Sequence, residues 1–174
     1  MKEIKQTNEL VMTAMMMCLV LLATTLVRIP MPGTGGYIHM GDAMIFLAVA
    51  KLGRHKGALA AALGSSLADL LAGYAVWIPW TFVIKGGMAL IFSFFLSEHE
   101  KSSRKFYEVL GMVLAGLFMT AGYFAAEGIM YGNWLAAAIS APWNVLQFTV
   151  GMLVAVALQK AIAKAMPHAT PRSH

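Results

Sequence analysis

The chain has 174 residues, of which 59% are hydrophobic and only 12% charged, with a net charge of +5. A soluble domain carries about 25% charged residues, so composition points to a polytopic helical membrane protein made of one domain, 1–174. The apolar runs are continuous rather than alternating, which argues against a transmembrane barrel, and the basic residues fall between those runs with no aromatic-interleaved basic face, which argues against nucleic acid as a partner.

The first apolar helix is predicted over 9–27. Its basic start resembles a signal peptide, but the run is as long as a span and no clear cleavage site follows, so it reads as a retained helix. Arg28 and the Pro30–Gly33 stretch end it, because proline lacks the donor that would continue a helix. A glycine-rich loop leads through His39 to a second helix over 41–52, which is too short to cross about 30 Å of hydrocarbon upright. The third, over 56–72, carries two rows of small residues four apart: Gly57, Ala61, Ser65 and Ala60, Gly64, Ala68. Such rows let helix backbones approach closely. Three more helices are expected over 80–96, 107–131 and 143–163, with a short turn through Pro142 before the last. The tail PHATPRSH is too polar to span, and neither it nor the linker Ser97–Phe106 carries a functional signal.

Lysines and arginines mark the N-terminus, the 52–56 connection, the 97–106 linker and the C-terminal end, whereas the three opposite connections hold only Arg28. By the positive-inside rule this predicts an all-α integral membrane bundle of six transmembrane helices in the plasma membrane, with both termini cytoplasmic.

A charged group inside an apolar run costs roughly 2.5–3.5 kcal/mol at a bilayer centre, so charged and polar groups there call for a reason. Here they gather in the outer half: His39, Asp42, Asp69, Lys85, Glu127, and Asn144 with Gln147 three apart on one helix face, among the aromatics Tyr74, Trp77, Trp80, Tyr123, Tyr131, Trp134 and Trp143. The pattern describes a cup open to the outside that binds a small planar ligand, rather than a channel or a proton relay. The expected ligand contacts are His39, Trp80, Lys85, Tyr123, Glu127, Trp143, Asn144 and Gln147, with Asp42 and Asp69 as structural braces. Asp42 can cap its helix, Asp69 can pair with Lys85 or satisfy loop donors, and any single tryptophan can belong to an interfacial belt. No metal site is expected, since no second His or Cys stands at metal spacing from His39, and Cys18 is alone. No phosphate-binding loop or nucleophile elbow occurs. The chain therefore reads as a non-enzyme, with a stand-alone gradient-driven transporter or a small intramembrane enzyme as the rival readings.

The run His39-Met40-Gly41-Asp42, then Leu52-Gly53, Gly57, Gly64–Tyr74, Pro79-Trp80-Thr81 and Ile84-Lys85-Gly86, resembles the substrate-binding S-components of energy-coupling factor (ECF) vitamin transporters. The resemblance is to the branch with hydroxymethylpyrimidine, pyridoxine and riboflavin-type members. It implies capture of a vitamin from outside and delivery through a membrane T-component coupled to two cytoplasmic ATPases. ATP is then used by the partners, and this chain needs no cofactor of its own. Lys85 and Trp80 lie inside the matching block, while Tyr123, Glu127, Trp143, Asn144 and Gln147 rest on depth and chemistry. The resemblance also implies a small-residue docking surface on the first helix, for which Ala14 and Cys18 are the nearest match. One amine, one carboxylate, two amides and several aromatics favour a single heteroaromatic ring, hydroxymethylpyrimidine or a pyridoxine-like vitamin, over a phosphorylated ligand.

Overall fold

The computed structural model describes residues 2–26, 28–30, 37–97 and 104–165. The glycine-rich stretch 31–36, the linker residues 98–103 and the tail 166–174 lie outside the described residues, and so do the expectations attached to them.

Six α-helices form the body: α1 (Lys2–Leu26), α2 (Gly41–Leu52), α3 (Arg54–Leu71), α4 (Ile78–Ser97), α5 (Arg104–Tyr131) and α6 (Trp134–Ala165). The all-helical expectation needs one amendment. Arg28–Pro30 (β1) and Tyr37–His39 (β2) pair antiparallel, Arg28 opposite His39 and Pro30 opposite Tyr37. This hairpin sits where α1 ends and α2 begins.

α3 packs on α4, α1 and α2, α4 on α5, α5 on α6, and α6 on α2. The short α2 is enclosed. Gly41, Asp42, Ala43, Ile45, Phe46, Leu47, Ala48 and Val49 are all buried, so its near-continuous apolar sequence faces neighbours on every side. At 1.5 Å per residue its 12 residues cover about 18 Å. α1, the α4 region, α5 and α6 are long and apolar enough to cross a membrane; α2 and α3 are not counted among such helices.

The small residues of α3 act as the spacing suggests. A Cβ on Gly64 would lie 2.7 Å from the Met17 carbonyl oxygen of α1, and one on Gly57 would lie 2.7 Å from the Val49 Cα of α2. α1 meets them with Thr13, Met16, Val20 and Thr24, the buried residues of one face. The hydroxyls of Thr13 and Thr24 donate to the carbonyls of Glu9 and Val20, which satisfies them inside an apolar helix.

Two helix ends aim residues at the hairpin end of the bundle. α3 closes with Gly73 at φ 80°, the Gly73 N–H donating to the Leu70 carbonyl and the Tyr74 N–H to the Asp69 carbonyl. This left-handed glycine cap fixes Tyr74 beside the last turn that holds Asp69. α6 starts at Trp134, where the Asn133 side chain accepts from the Ala136 N–H at 3.0 Å. The expected turn at Pro142 is corrected: the helix runs through it. Proline removes a single backbone bond to the preceding turn, and packing tolerates that local loss inside a long apolar helix.

Replacing Gly64 by Leu should force α1 away from α3. Overpacking of this kind costs on the order of 1–3 kcal/mol, so a lower unfolding temperature in detergent is expected, with Gly64→Ala intermediate. An unchanged temperature for Gly64→Leu would show that the α1–α3 contact is not close in the folded protein.

Candidate functional site

A cleft opens at the hairpin end between β2, α3, α4, α5 and α6. Its lining comprises Tyr37, His39, Asp69, Tyr74, Trp77, Thr81, Tyr123, Glu127, Asn144 and Gln147. Its enclosed cavity is small, about 40 Å³, within about 430 Å³ of empty space counted out to the open mouth. That is a space of single-ring size with mixed apolar and polar walls.

Aromatic rings make the walls. Tyr37 stacks at a tilt on Tyr74, with centroids 5.2 Å apart, and stands 5.7 Å from His39. Trp77 lies 5.9 Å from Tyr123 and 6.2 Å from Tyr131. Tyr37 and His39 are two apart on one strand and so share a face. Burial, with the Lys85 cation next, pushes the His39 imidazole down to about 3, so it is neutral at pH 7. Its Nδ1 accepts from the Gly41 N–H at 3.0 Å, which assigns the ring proton to Nε2.

Beneath the cleft lies a buried ion pair. Lys85 of α4 and Asp42 of α2 bond directly, and both side chains are fully buried. Lys85 Nζ also donates to the Met119 sulfur at 2.9 Å and stands 5.4 Å from the Tyr123 ring centroid. The Gln147 amide joins this pair to the hairpin: its Nε2 donates to Asp42 Oδ2 at 2.9 Å, and its Oε1 accepts from the His39 backbone N–H at 3.1 Å. Gly151 makes room for the arrangement, since a Cβ there would lie 2.9 Å from the Asp42 Cβ.

The expected residues therefore separate. His39, Tyr123, Glu127, Asn144 and Gln147 line the cleft, whereas Trp80, Lys85 and Trp143 do not. Lys85 is committed to Asp42 under the floor. Trp80 is half-buried and packs against the core, and Trp143 is 36% exposed. Asp42 makes no cap bond to its own helix. Asp69 does not take Lys85: its Oδ1 accepts from the Tyr37 hydroxyl at 2.9 Å. Glu127 takes a hydrogen bond from Ser140. Tyr37 and Thr81 were not expected in the lining; the Tyr-x-His alternation before α2 was the available signal for Tyr37.

Two buried polar atoms in this lining have no partner in hydrogen-bond geometry among the described residues, Asp69 Oδ2 and Asn144 Nδ2, although the Thr81 side chain lies close enough to favour the Asp69 carboxylate. The first is an acceptor and the second a donor. Asp69 is 6% and Asn144 4% exposed, so water cannot freely satisfy either. Such atoms cost about 1–3 kcal/mol each when left unpaired. They are complementary to a ligand that offers one donor and one acceptor. The lining also contains two carboxylates and no lysine or arginine.

Removing Lys85 should leave Asp42 buried without a partner. Breaking a buried pair costs about 3–5 kcal/mol, so Lys85→Met is expected to lower the unfolding temperature sharply. The double variant Asp42→Leu/Lys85→Met should recover most of that loss. A double variant as unstable as the single one would contradict a bracing role.

The whole chain fits one family. Residues 4–164 match the model of the ECF-type riboflavin transporter, S component. A curated relative, the thiamine precursor transporter HmpT of Lactococcus lactis subsp. cremoris (strain MG1363), is 29% identical over 162 residues, covering 92% of this chain and 90% of its own. An uncharacterized protein of Pyrococcus woesei is 39% identical over 113 residues, covering 65% of this chain and 74% of its own. Among solved structures, an S component of a bacterial ECF transporter superposes with a TM-score of 0.76 at 18% identity, covering 92% of this chain and 98% of that one, which shows a shared fold. The chain belongs to the S components of ECF-type transporters, which are transporter subunits rather than enzymes.

Proposed function

We propose that this chain captures the aminopyrimidine precursor of thiamine, or a closely similar single-ring vitamin precursor, from outside the cell. It then hands the ligand inward after docking on a T-component driven by two cytoplasmic ATPases. The observation that carries the ligand class is the presence of two unpartnered polar atoms, Asp69 Oδ2 and Asn144 Nδ2, on residues that line one aromatic cleft of single-ring size. Hydroxymethylpyrimidine offers an amino donor for a carboxylate and a ring-nitrogen acceptor for an amide. Its flat face suits the Tyr37, Tyr74, Trp77 and Tyr123 rings. The lining itself carries two carboxylates and no cation, with Arg28 outside it over the Tyr37 ring at 5.5 Å, which favours an uncharged ligand over a phosphate ester, and the space is small for a tricyclic flavin. The relative HmpT supports the same ligand class.

The membrane arrangement proposed is six helices with both termini cytoplasmic and the cleft outward. Among the described residues, every lysine or arginine except Arg28 and the intramembrane Lys85 belongs to the end opposite the hairpin. Glu127 and His39 are assigned to the ligand's remaining polar edge. Gln147 is assigned to holding the hairpin, because both ends of its amide are already engaged.

Asp69→Asn and Asn144→Leu each remove one complementary atom. A charge-assisted or buried hydrogen bond is worth about 1.5–3 kcal/mol, so hydroxymethylpyrimidine affinity should fall roughly ten- to hundredfold by calorimetry. Unfolding of the ligand-free protein should be unchanged or later for Asn144→Leu, because an orphaned donor has gone. A variant that unfolds earlier yet binds normally would overturn the assignment.

For docking, Ala14 and Cys18 are both exposed on α1, away from its buried Thr13–Met16–Val20–Thr24 face. Ala14→Trp and Cys18→Trp should abolish co-purification with the T-component and leave ligand binding intact. Survival of co-purification would place the docking surface elsewhere.

A further inference from the structure

At the end opposite the hairpin, α1, α2 and α3 leave a second groove of about 1150 Å³ counted to its open mouth. Ile4, Met12 and Leu52 contribute apolar walls, and Lys5, Asn8, Glu9, Lys51 and Lys56 contribute polar groups. Glu9 is spent on Lys56 in an ion pair. Lys5 and Lys51 have no carboxylate partner among the described residues. The groove therefore holds two uncompensated cations and an amide beside an apolar floor.

The floor continues along α1. Met12, Met15, Leu19 and Leu22 are 44%, 56%, 43% and 48% exposed, although they lie on an apolar helix long enough to span. From Lys5 to Leu26 the helix covers about 32 Å at 1.5 Å per residue, the thickness of a hydrocarbon core. When α1 spans the bilayer, Lys5 stands at head-group level with the apolar strip running inward from it.

We propose that this groove is a binding site for an anionic phospholipid, with the phosphodiester between Lys5 and Lys51, Asn8 donating to a phosphate oxygen, and the acyl chains lying along Met12, Met15 and Leu19. Charge complementarity selects an anion, and the apolar floor that runs on into the α1 strip selects an amphiphile over an acidic peptide. Basic pockets between transmembrane helices on the cytoplasmic side take anionic head groups in this way. The site depends on α1 spanning the membrane and is independent of the ligand assigned to the cleft.

The test is native mass spectrometry of the full chain in detergent with phosphatidylglycerol and phosphatidylcholine at equal concentration, with inorganic phosphate as competitor. Several-fold preferential retention of phosphatidylglycerol is expected. It should be lost in the double variant Lys5→Gln/Lys51→Gln, kept in Lys5→Arg/Lys51→Arg, and unaffected by millimolar phosphate. An unfolding temperature in detergent unchanged from the parent chain checks that the fold of each variant is intact. Equal retention of the two lipids, or a preference that survives the glutamine variant, would overturn the proposal. So would displacement by phosphate, which would mean a free-anion site. Loss of T-component co-purification in the glutamine variant without loss of lipid preference would assign the lysines to a protein partner instead.

Discussion

The ion pair between Asp42 and Lys85 is the contact on which the rest of this structure depends. Two charges buried in an apolar bundle are tolerable only when each completes the other, and here each has a further partner as well. Lys85 adds the Met119 sulfur and the Tyr123 ring, and Asp42 adds the Gln147 amide. The pair ties α2 to α4, and Gln147 extends it to α6 and, through the His39 backbone, to the hairpin. With α5 reached through Met119 and Tyr123, four of the elements around the cleft (β2, α4, α5 and α6) are thus referenced to one buried point, which fixes the distances between walls that come from remote parts of the chain.

The same pair shapes the chemistry above it. By engaging Lys85 below the floor it leaves the cleft lined by carboxylates, amides, hydroxyls and aromatic rings with no cation. A lining of that kind is complementary to ligands rich in hydrogen-bond donors and places two carboxylates where a phosphate would be repelled. Asp69 sits in the cleft wall: one oxygen accepts from the Tyr37 hydroxyl and so steadies the wall, and the other is buried without a hydrogen-bond partner among the described residues. The neutral His39, locked in one tautomer by Gly41, adds a donor without adding charge.

Much of this was legible in the sequence because bilayer physics writes on composition. The helix order, the small-residue rows of α3 and the clustering of polar groups toward one end follow from hydropathy, spacing and lysine placement alone. Pro142 misled, since a proline in an apolar segment reads as a break while a long packed helix absorbs it. The hairpin was hidden in a glycine-rich stretch whose strands are only three residues each. The partner of Lys85 was not legible either. Asp42 and Asp69 lie at comparable depth, and only the packing of α2 at the centre, with Gly151 opposite, brings Asp42 to the lysine. A pairing across 43 residues leaves no trace in local spacing. Lys85, expected at the ligand, is paired with Asp42 under the floor, and Asp69, expected as a brace, lies in the cleft wall holding Tyr37.

The most direct measurement is a calorimetric titration of the purified chain with hydroxymethylpyrimidine, its phosphate ester and riboflavin. With Lys85 held under the floor and a cleft of single-ring size, the unphosphorylated pyrimidine should bind and the other two should not. Binding of the phosphate ester as tight as that of the free alcohol would contradict a cation-free site. Binding of riboflavin in preference to the pyrimidine would contradict the ring-sized cleft.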